Sequence, residues 1–171
     1  GSSDDATMAI AHKDNRGRLI LDLVISQDGS PPFNPQKAVE KFARTMKVYG
    51  IRKAIGDNYA GETFKFAFEA QGITLKSSDL SRTDIYEAFE PHLNAGAVEL
   101  LDVSKLQEQL VTLVVRGAQI DHQPGDHDDW ANAAAGVLTL DFTKDDDDDG
   151  WPLKAPPGHT GRISDPLEMF R

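Results

Sequence analysis

The chain has 171 residues, of which 39% are hydrophobic, so it can bury the core of one domain. It contains no cysteine, which excludes disulfides and thiolate metal sites, and its net charge of −10 argues against a simple nucleic-acid coat. No apolar stretch approaches the roughly 20 residues of a membrane span, and no signal peptide is evident, so neither a membrane protein nor a secreted one is expected. Because the sequence opens with GSSDDATMAIAH rather than Met, we expect a piece of a longer protein whose natural start lies upstream.

Two β-rich runs near the start predict a hairpin. Residues 7–12 (TMAIAH) and 18–26 (RLILDLVIS) flank the turn sequence Asn15-Arg16-Gly17. After a proline-rich loop, Asn34 is a typical N-cap with Pro35 at the first helical position. The helix predicted from there to Gly50 has one apolar face, formed by Val39, Phe42, Ala43 and Met46.

Strands and helices alternate through the middle of the chain. Strands are predicted at 51–56, 73–76 and 98–101, and helices at 61–71, 81–94 and from Ser104 onward. Ser81 with Asp84 indicates a capping box. The last of these helices is expected to be capped by Ser104 and to bury Leu106, Leu110, Leu113 and Val114. The alternation predicts an α/β fold with parallel strands in its second half.

Residues 125–140 (GDHDDWANAAAGVLTL) place His127, Asp128 and Asp129 directly before an apolar run. The buried face of the helix predicted there is Trp130, Ala133, Ala134 and Val137, at i, i+3, i+4 and i+7. An Asp in a first helical turn ordinarily caps free N–H groups and suits the helix dipole. Two adjacent Asp residues preceded by His are more than helix capping requires. Such a pair would suit a hard cation if a further carboxylate faced it.

Asp57 is the second acid that such a site needs. It ends a predicted strand, and open α/β sheets place ligand-binding groups at the carboxyl ends of their strands. Its ordinary alternative is a turn residue. Asp57 on one side and Asp128 with Asp129 on the other suggest a site in which carboxylates surround Mg²⁺ or Mn²⁺. These ions promote phosphodiester cleavage by activating water and stabilising the leaving oxygen.

Six bases are candidate phosphate contacts, although scattered bases are more often solvated surface. They are Lys53, Lys65, Lys76, Arg82, Lys105 and Arg116, of which Lys53, Lys76 and Arg82 are the DNA-binding candidates. Isolated histidines are expected to be structural or exposed: His12, His92, His122 and His159. Tyr59 either packs beside the site or belongs to the core.

The composition changes after residue 142. Residues 143–171 contain the run Asp145–Asp149 and several prolines, and cannot bury enough surface to fold alone. We therefore predict a folded domain at 1–142 and, at 143–171, an acidic tail that is either a disordered linker or a docking arm for a partner.

Several segments, taken together, resemble the nuclease domain of tailed-phage terminase large subunits. They run in the same order from about Ser3 to Leu140. The segments are TMAIAHKDNRGRLILDLV, PPFNP, KVYGI, IGDNYAGETFKFAFEAQGI, KSSDLSRTDIYEAFEPHLNAGAVELLD, KLQEQLVTLV and DHQPGDHDDWANAAAG. The combination of GDNYAG with HDDWANA is specific, whereas either motif alone would be weak.

The resemblance implies an RNase H-like mixed sheet flanked by helices, and metal-dependent cutting of double-stranded DNA during genome packaging, with two Mg²⁺ or Mn²⁺ ions. It assigns Asp57 and one or both of Asp128 and Asp129 as catalytic metal ligands, taken here together, and Asp4 or Asp5 as a further acid. His127 would either orient the metal ligands or be a helix-start residue. It also implies a terminase small subunit and a portal as partners, and the host cytoplasm as the location.

One departure concerns the first strand. The family begins this domain with a central strand that bears its first catalytic Asp, and here only the following turn, GSSDD, is present. We therefore expect the sheet to lack its central strand, and this chain alone to bind metal weakly and cut little. No GxxxxGK[ST] loop occurs, so no ATP site is expected.

Two alternatives stay open. One is another RNase H-like nuclease, such as a junction resolvase or transposase relative, which would cut a different DNA structure. The other is a catalytically incomplete nuclease fold that acts as an interaction module. Metal-dependent nicking that Asp57→Ala abolishes would separate an enzyme from a module.

Overall fold

The computed structural model describes residues 6–27, 29, 34–57 and 62–140. The predicted hairpin is confirmed. Strand β1 (Thr7–Lys13) pairs antiparallel with β2 (Leu19–Ser26), with an irregularity between Ile10 and Ala11. The turn closes at Gly17, whose φ of +81° favours glycine.

Helix α1 (Pro35–Val48) is also confirmed. The Asn34 side chain accepts hydrogen bonds from the backbone N–H groups of Gln36 and Lys37, so the predicted N-cap is present. The predicted apolar face is buried: Val39, Phe42, Ala43 and Met46. The α-helix is therefore fixed at its start by a cap and along its length by packing.

A parallel βαβ unit follows. Strand β3 (Lys53–Gly56) leads through α2 (Glu62–Ala70) to β4 (Thr74–Ser77), and β3 and β4 are parallel. At Gly56 a Cβ atom would lie 3.1 Å from Leu75 Cδ1, so a larger residue would be crowded there. Asp57 is the first residue after β3, as predicted.

The second half of the chain supplies most of the helices. Helix α3 (Arg82–Asn94) has the predicted capping box between Ser81 and Asp84. Strand β5 (Val98–Glu99) pairs parallel with β2. Helix α4 (Ser104–Val111) is followed by the antiparallel hairpin of β6 (Val114–Arg116) and β7 (Gln119–Asp121), and then by α5 (Asp129–Leu138).

Three details of this half differ from the sequence predictions. The N-cap of α4 is Val103, which has no side-chain cap, so Ser104 does not cap the helix. Helix α4 ends at Val111, which places Leu113 and Val114 outside it. No strand was predicted after residues 98–101, yet the hairpin β6–β7 lies there, and its turn contains Gly117 with φ +62°.

The described strands form three separate sheets rather than one. Their orders are β1-β2-β5, β3-β4 and β6-β7. Within the described part of the chain, no strand pairs with the second edge of β1 or of β3. This arrangement is compatible with the expectation of a missing central strand, which stays a prediction.

Two hydrophobic clusters pack against opposite faces of the β1–β2 hairpin, because neighbouring strand residues point to opposite sides and the irregularity between Ile10 and Ala11 shifts this alternation within β2. One joins Met8, Ile10 and Leu23 to α1, α2 and the β3–β4 sheet. The other joins Ala11 and Leu21 to α3, α4 and α5. The start of α5 is thereby held between α3 and α4.

The buried face of α5 is displaced by one residue from the predicted one. Its fully buried residues are Ala131, Ala134, Ala135 and Leu138. Trp130 and Val137 are half-buried at the edge of the same cluster. The reason is that α5 contacts β1, β2, α3 and α4, so small residues suit its most enclosed side.

No helix in the described part of the chain is both long enough and apolar enough to cross a membrane.

Candidate active site

Asp128 occupies the N-cap position of α5, yet its side chain turns away from the helix. The residue is only 4% exposed. The Tyr86 hydroxyl of α3 donates a hydrogen bond to Asp128 Oδ2 at 2.8 Å, and Arg82 Nη1 lies 3.6 Å from Asp128 Oδ1. The carboxylate therefore connects the start of α5 to one face of α3.

Asp128 changes the pKa values of the two side chains that contact its carboxylate, Tyr86 and Arg82. Burial, followed by the negative charge of Asp128, raises the pKa of Tyr86 far above its usual value, so this hydroxyl remains a donor. Burial acts to lower the pKa of Arg82, but Asp128 and Asp121 outweigh it and raise that pKa. Arg82 Nη1 also lies 2.6 Å from Asp121 Oδ1, so the guanidinium bridges two carboxylates.

Tyr86→Phe tests the hydrogen bond to Asp128. A buried carboxylate that loses a donor should cost about 1.5–3 kcal/mol of the free energy of unfolding. Urea unfolding of Tyr86→Phe, Asp128→Ala and the double variant would measure this cost as a coupling between the two sites. Additive effects in that cycle would show that the two side chains do not interact.

Gln109 of α4 caps α5 in place of Asp128. Its Oε1 accepts hydrogen bonds from the backbone N–H groups of Trp130 at 2.8 Å and Ala131 at 3.1 Å. Asp128 forms no side-chain cap, so the ordinary capping role of an Asp at the start of a helix does not apply to it. The cause is that Tyr86 and Arg82 engage its carboxylate.

We expect Gln109→Ala to destabilise the protein by about 1–2 kcal/mol, because two N–H groups at the start of α5 lose their acceptor. Thermal unfolding would measure the loss. Gln107→Ala is the matched control, since exposed Gln107 contacts only the Asp102 carboxylate by its side chain. Equal effects of the two substitutions would contradict the capping role.

Trp130 anchors the start of α5 to the end of β2. Its indole Nε1 donates a hydrogen bond to Ser26 Oγ at 2.5 Å, and Lys105 Nζ lies 5.1 Å from the centre of the ring. A shallow groove beside it is lined by residues of α4 and of the loop before α5, among them Lys105, Glu108, Gln109 and His127. The His127 ring stacks on His122 with 6.5 Å between ring centres.

The remaining predicted acids are more accessible than Asp128. Asp57 is exposed at the carboxyl end of β3, and Asp129 is half-buried as the first residue of α5. Tyr59, Asp4 and Asp5 lie outside the described residues, as do His159 and the whole predicted tail.

The predicted bases occupy different settings. Lys53 and Lys76 lie on one face of the β3–β4 sheet, because Lys53 faces Thr74 and Ile55 faces Lys76 in the parallel register. Lys65 pairs with Glu62 at 3.2 Å, and Arg116 is exposed. DNA contact by Lys53, Lys76 and Arg82 stays a prediction, and for Arg82 the structure shows two competing carboxylates.

Two of the isolated histidines have aromatic or acidic neighbours. His12 Nδ1 lies 2.7 Å from Asp22 Oδ2 across the β1–β2 hairpin, and both residues are half-buried. His122 stacks on His127, whereas His92 is exposed near the end of α3.

The described carboxylates do not by themselves form a metal centre. Among residues 6–27, 29, 34–57 and 62–140, no three histidine, aspartate or glutamate side chains gather so that they could hold a metal ion. Asp128 is moreover engaged by Tyr86 and Arg82. The assignment of Asp57, Asp128 and Asp129 as metal ligands therefore stays a prediction, as does that of Asp4 or Asp5.

Tyr86 and Gln109 are the residues that the sequence patterns did not single out. Tyr86 lies 42 positions before Asp128, and Gln109 lies 21 positions before Trp130. A polar residue on an otherwise apolar helix face is the available signal, since Gln109 falls near Leu106 and Leu110 in the helical repeat.

Comparison with known proteins gives one informative result. No protein-family model matches the chain, and no curated protein sequence matches it. The structure is similar to the crystal structure of the large terminase nuclease from thermophilic phage G20c, with a TM-score of 0.58 and 13% sequence identity. The similarity covers 84% of each chain. The predicted fold class is thus confirmed: the chain has the mixed α/β, RNase H-like fold of a phage large-terminase nuclease domain.

Proposed function

We propose that this chain is the nuclease domain of a terminase large subunit and cuts double-stranded DNA during genome packaging. The observation that carries the proposal is the fold similarity over 84% of both chains. The motifs GDNYAG and HDDWANA support it from the sequence, because they place acids after β3 and at the start of α5.

The chain's own residues would prepare the site. Tyr86 and Arg82 hold Asp128, Gln109 fixes the first turn of α5, and Ser26 fixes Trp130. These contacts come from three different elements, so the start of α5 has a defined position and orientation. Such preorganisation is what a catalytic carboxylate such as Asp129 requires.

Metal dependence is part of the proposal. Mg²⁺ or Mn²⁺, when bound, supplies Lewis-acid stabilisation of the developing charge at the phosphate. The described carboxylates alone do not complete such a site, so we propose that Asp57 and Asp129 act together with an acid outside the described residues, Asp4 or Asp5. A terminase small subunit, a portal and the host cytoplasm are proposed as the setting.

The experiment is a supercoiled-plasmid nicking assay with the full chain in Mn²⁺, Mg²⁺ or EDTA. We expect slow nicking in Mn²⁺ and none in EDTA. Equal cutting with and without the chelator would overturn metal dependence. Preference for a four-way junction over duplex DNA would instead favour a resolvase-type nuclease.

A second candidate function is an interaction module with a nuclease fold. The observation that favours it is the engagement of Asp128 by Tyr86 and Arg82, which gives this buried acid a structural role. A folded chain that nicks no DNA in either metal would support the module.

A further inference from the structure

Helix α1 has an unusual charge for this protein. Between Pro35 and Val48 it carries four bases, Lys37, Lys41, Arg44 and Lys47, and one acid, Glu40, whereas the whole chain has a net charge of −10. Three of these bases follow the helical repeat i, i+4, i+7 and so lie on one side of the helix. We call Lys37, Lys41 and Arg44 the basic stripe.

The basic stripe has a fixed orientation. Val39, Phe42 and Ala43 are buried on the opposite side of α1, which prevents the helix from rotating. Lys37 and Arg44 are exposed, and neither forms an ion pair with Glu40. Over seven residues a helix rises about 10 Å, and one strand of duplex DNA rises about 3.4 Å per phosphate, so the exposed ends of the stripe, Lys37 and Arg44, span about three phosphates.

The basic stripe is connected to the start of α5 through one residue. Lys41 Nζ donates a hydrogen bond to the Ser26 carbonyl oxygen at 2.9 Å, and the Ser26 hydroxyl accepts from the Trp130 indole. Asp128 and Asp129 directly precede Trp130. Lys41 of the stripe and Trp130 therefore contact the same residue at the end of β2, which places the middle of the stripe close to the first turn of α5.

We propose that the basic stripe on α1 binds the phosphate backbone of duplex DNA, an inference that rests on the proposed nuclease function. The contact would be independent of base sequence, because the side chains are bases that meet phosphate. It would offset the repulsion between DNA and an acidic chain. The run Asp145–Asp149 is the alternative ligand of the stripe, because its charge is opposite to that of the stripe. Measurements of DNA binding distinguish DNA from this run.

The test compares binding of a fluorescent 20-base-pair duplex in EDTA, by anisotropy, for the wild type and for Lys37→Glu/Arg44→Glu. The control is Lys13→Glu/Arg16→Glu, which makes the same change in net charge at two exposed positions beside the turn of the β1–β2 hairpin. We expect the stripe variant to lose affinity about tenfold or more and its salt slope to fall by about 2, with a small change in the control. Lys37→Gln/Arg44→Gln should show an intermediate loss.

Several results would overturn the proposal. Equal losses in the stripe variant and the control would mean that net charge alone matters. If the stripe variant binds DNA as the wild type does, while a variant with Asn at positions 145–149 binds DNA more tightly, the stripe holds the Asp run instead. Unchanged affinity in the stripe variant, with Mn²⁺-dependent nicking by the wild type, would reject the stripe and leave the nuclease proposal intact. A wild type that neither binds nor nicks DNA would reject both.

Discussion

Asp57→Asn should lower the rate of Mn²⁺-dependent plasmid nicking by about 100-fold or more, equivalent to about 2.7 kcal/mol of transition-state stabilisation. Asp57 is exposed at the carboxyl end of β3, where a parallel strand pair presents polar groups to a ligand. Asparagine keeps the size of the side chain but removes its charge. The measurement is the initial rate of conversion of supercoiled to open-circular plasmid.

Asp79→Asn is the matched control for this substitution. Asp79 is exposed shortly after β4, the parallel neighbour of β3, so it is an acid in a similar position on the adjacent strand. Its replacement should leave the nicking rate within about twofold, because surface changes away from a site have small effects. Equal rates for Asp57→Asn and the wild type would remove Asp57 from the proposed site.

Asp128→Ala should have the largest effect on stability, a loss of about 2–3 kcal/mol in the free energy of unfolding. The substitution leaves the buried Tyr86 hydroxyl without its acceptor and removes one of the two carboxylates that face Arg82. The expected cost is below that of a fully buried ion pair, since Arg82 is 44% exposed and retains Asp121. Urea unfolding with a common slope would measure the loss.

Asp126→Ala provides the comparison, because Asp126 is exposed in the loop just before Asp128. We expect it to change the free energy of unfolding by less than about 0.5 kcal/mol. A loss at Asp128 no greater than that at Asp126 would show that the contacts with Tyr86 and Arg82 contribute nothing to stability.

Features set by neighbouring residues were predictable from the sequence. The hairpin follows from two β-rich runs around Gly17, the start of α1 from Asn34-Pro35, and the start of α3 from the Ser81–Asp84 capping box. In each case the side chain and the backbone group that it contacts are within a few positions of one another. Local chemistry therefore decides these elements before the chain packs.

Features that depend on distant partners were not predictable in the same way. Four surrounding elements determine which side of α5 is buried. The buried residues lie one position after the predicted ones, and Trp130, which was predicted to be buried, lies at the edge and bonds to Ser26. Gln109 caps α5 from a different helix, which frees Asp128 to meet Tyr86. No spacing rule connects residues that lie on separate elements.

The candidate site shows both kinds of outcome. Asp57 stands at the end of a strand and Asp129 in the first turn of a helix, as the sequence predicts. The prediction that carboxylates converge on a metal goes beyond local structure, and residues 6–27, 29, 34–57 and 62–140 do not supply a complete set of ligands. Asp128 shows the largest difference: the sequence predicts a metal ligand, and the structure shows a carboxylate engaged by Tyr86 and Arg82.

Plasmid nicking by the folded wild-type chain in Mn²⁺, with an EDTA control, tests the central claim most directly. The nuclease proposal predicts slow conversion of supercoiled plasmid to open circles that requires the metal and continues over hours. A chain that unfolds cooperatively, and is therefore folded, yet leaves the plasmid intact in Mn²⁺ over the same period would contradict it.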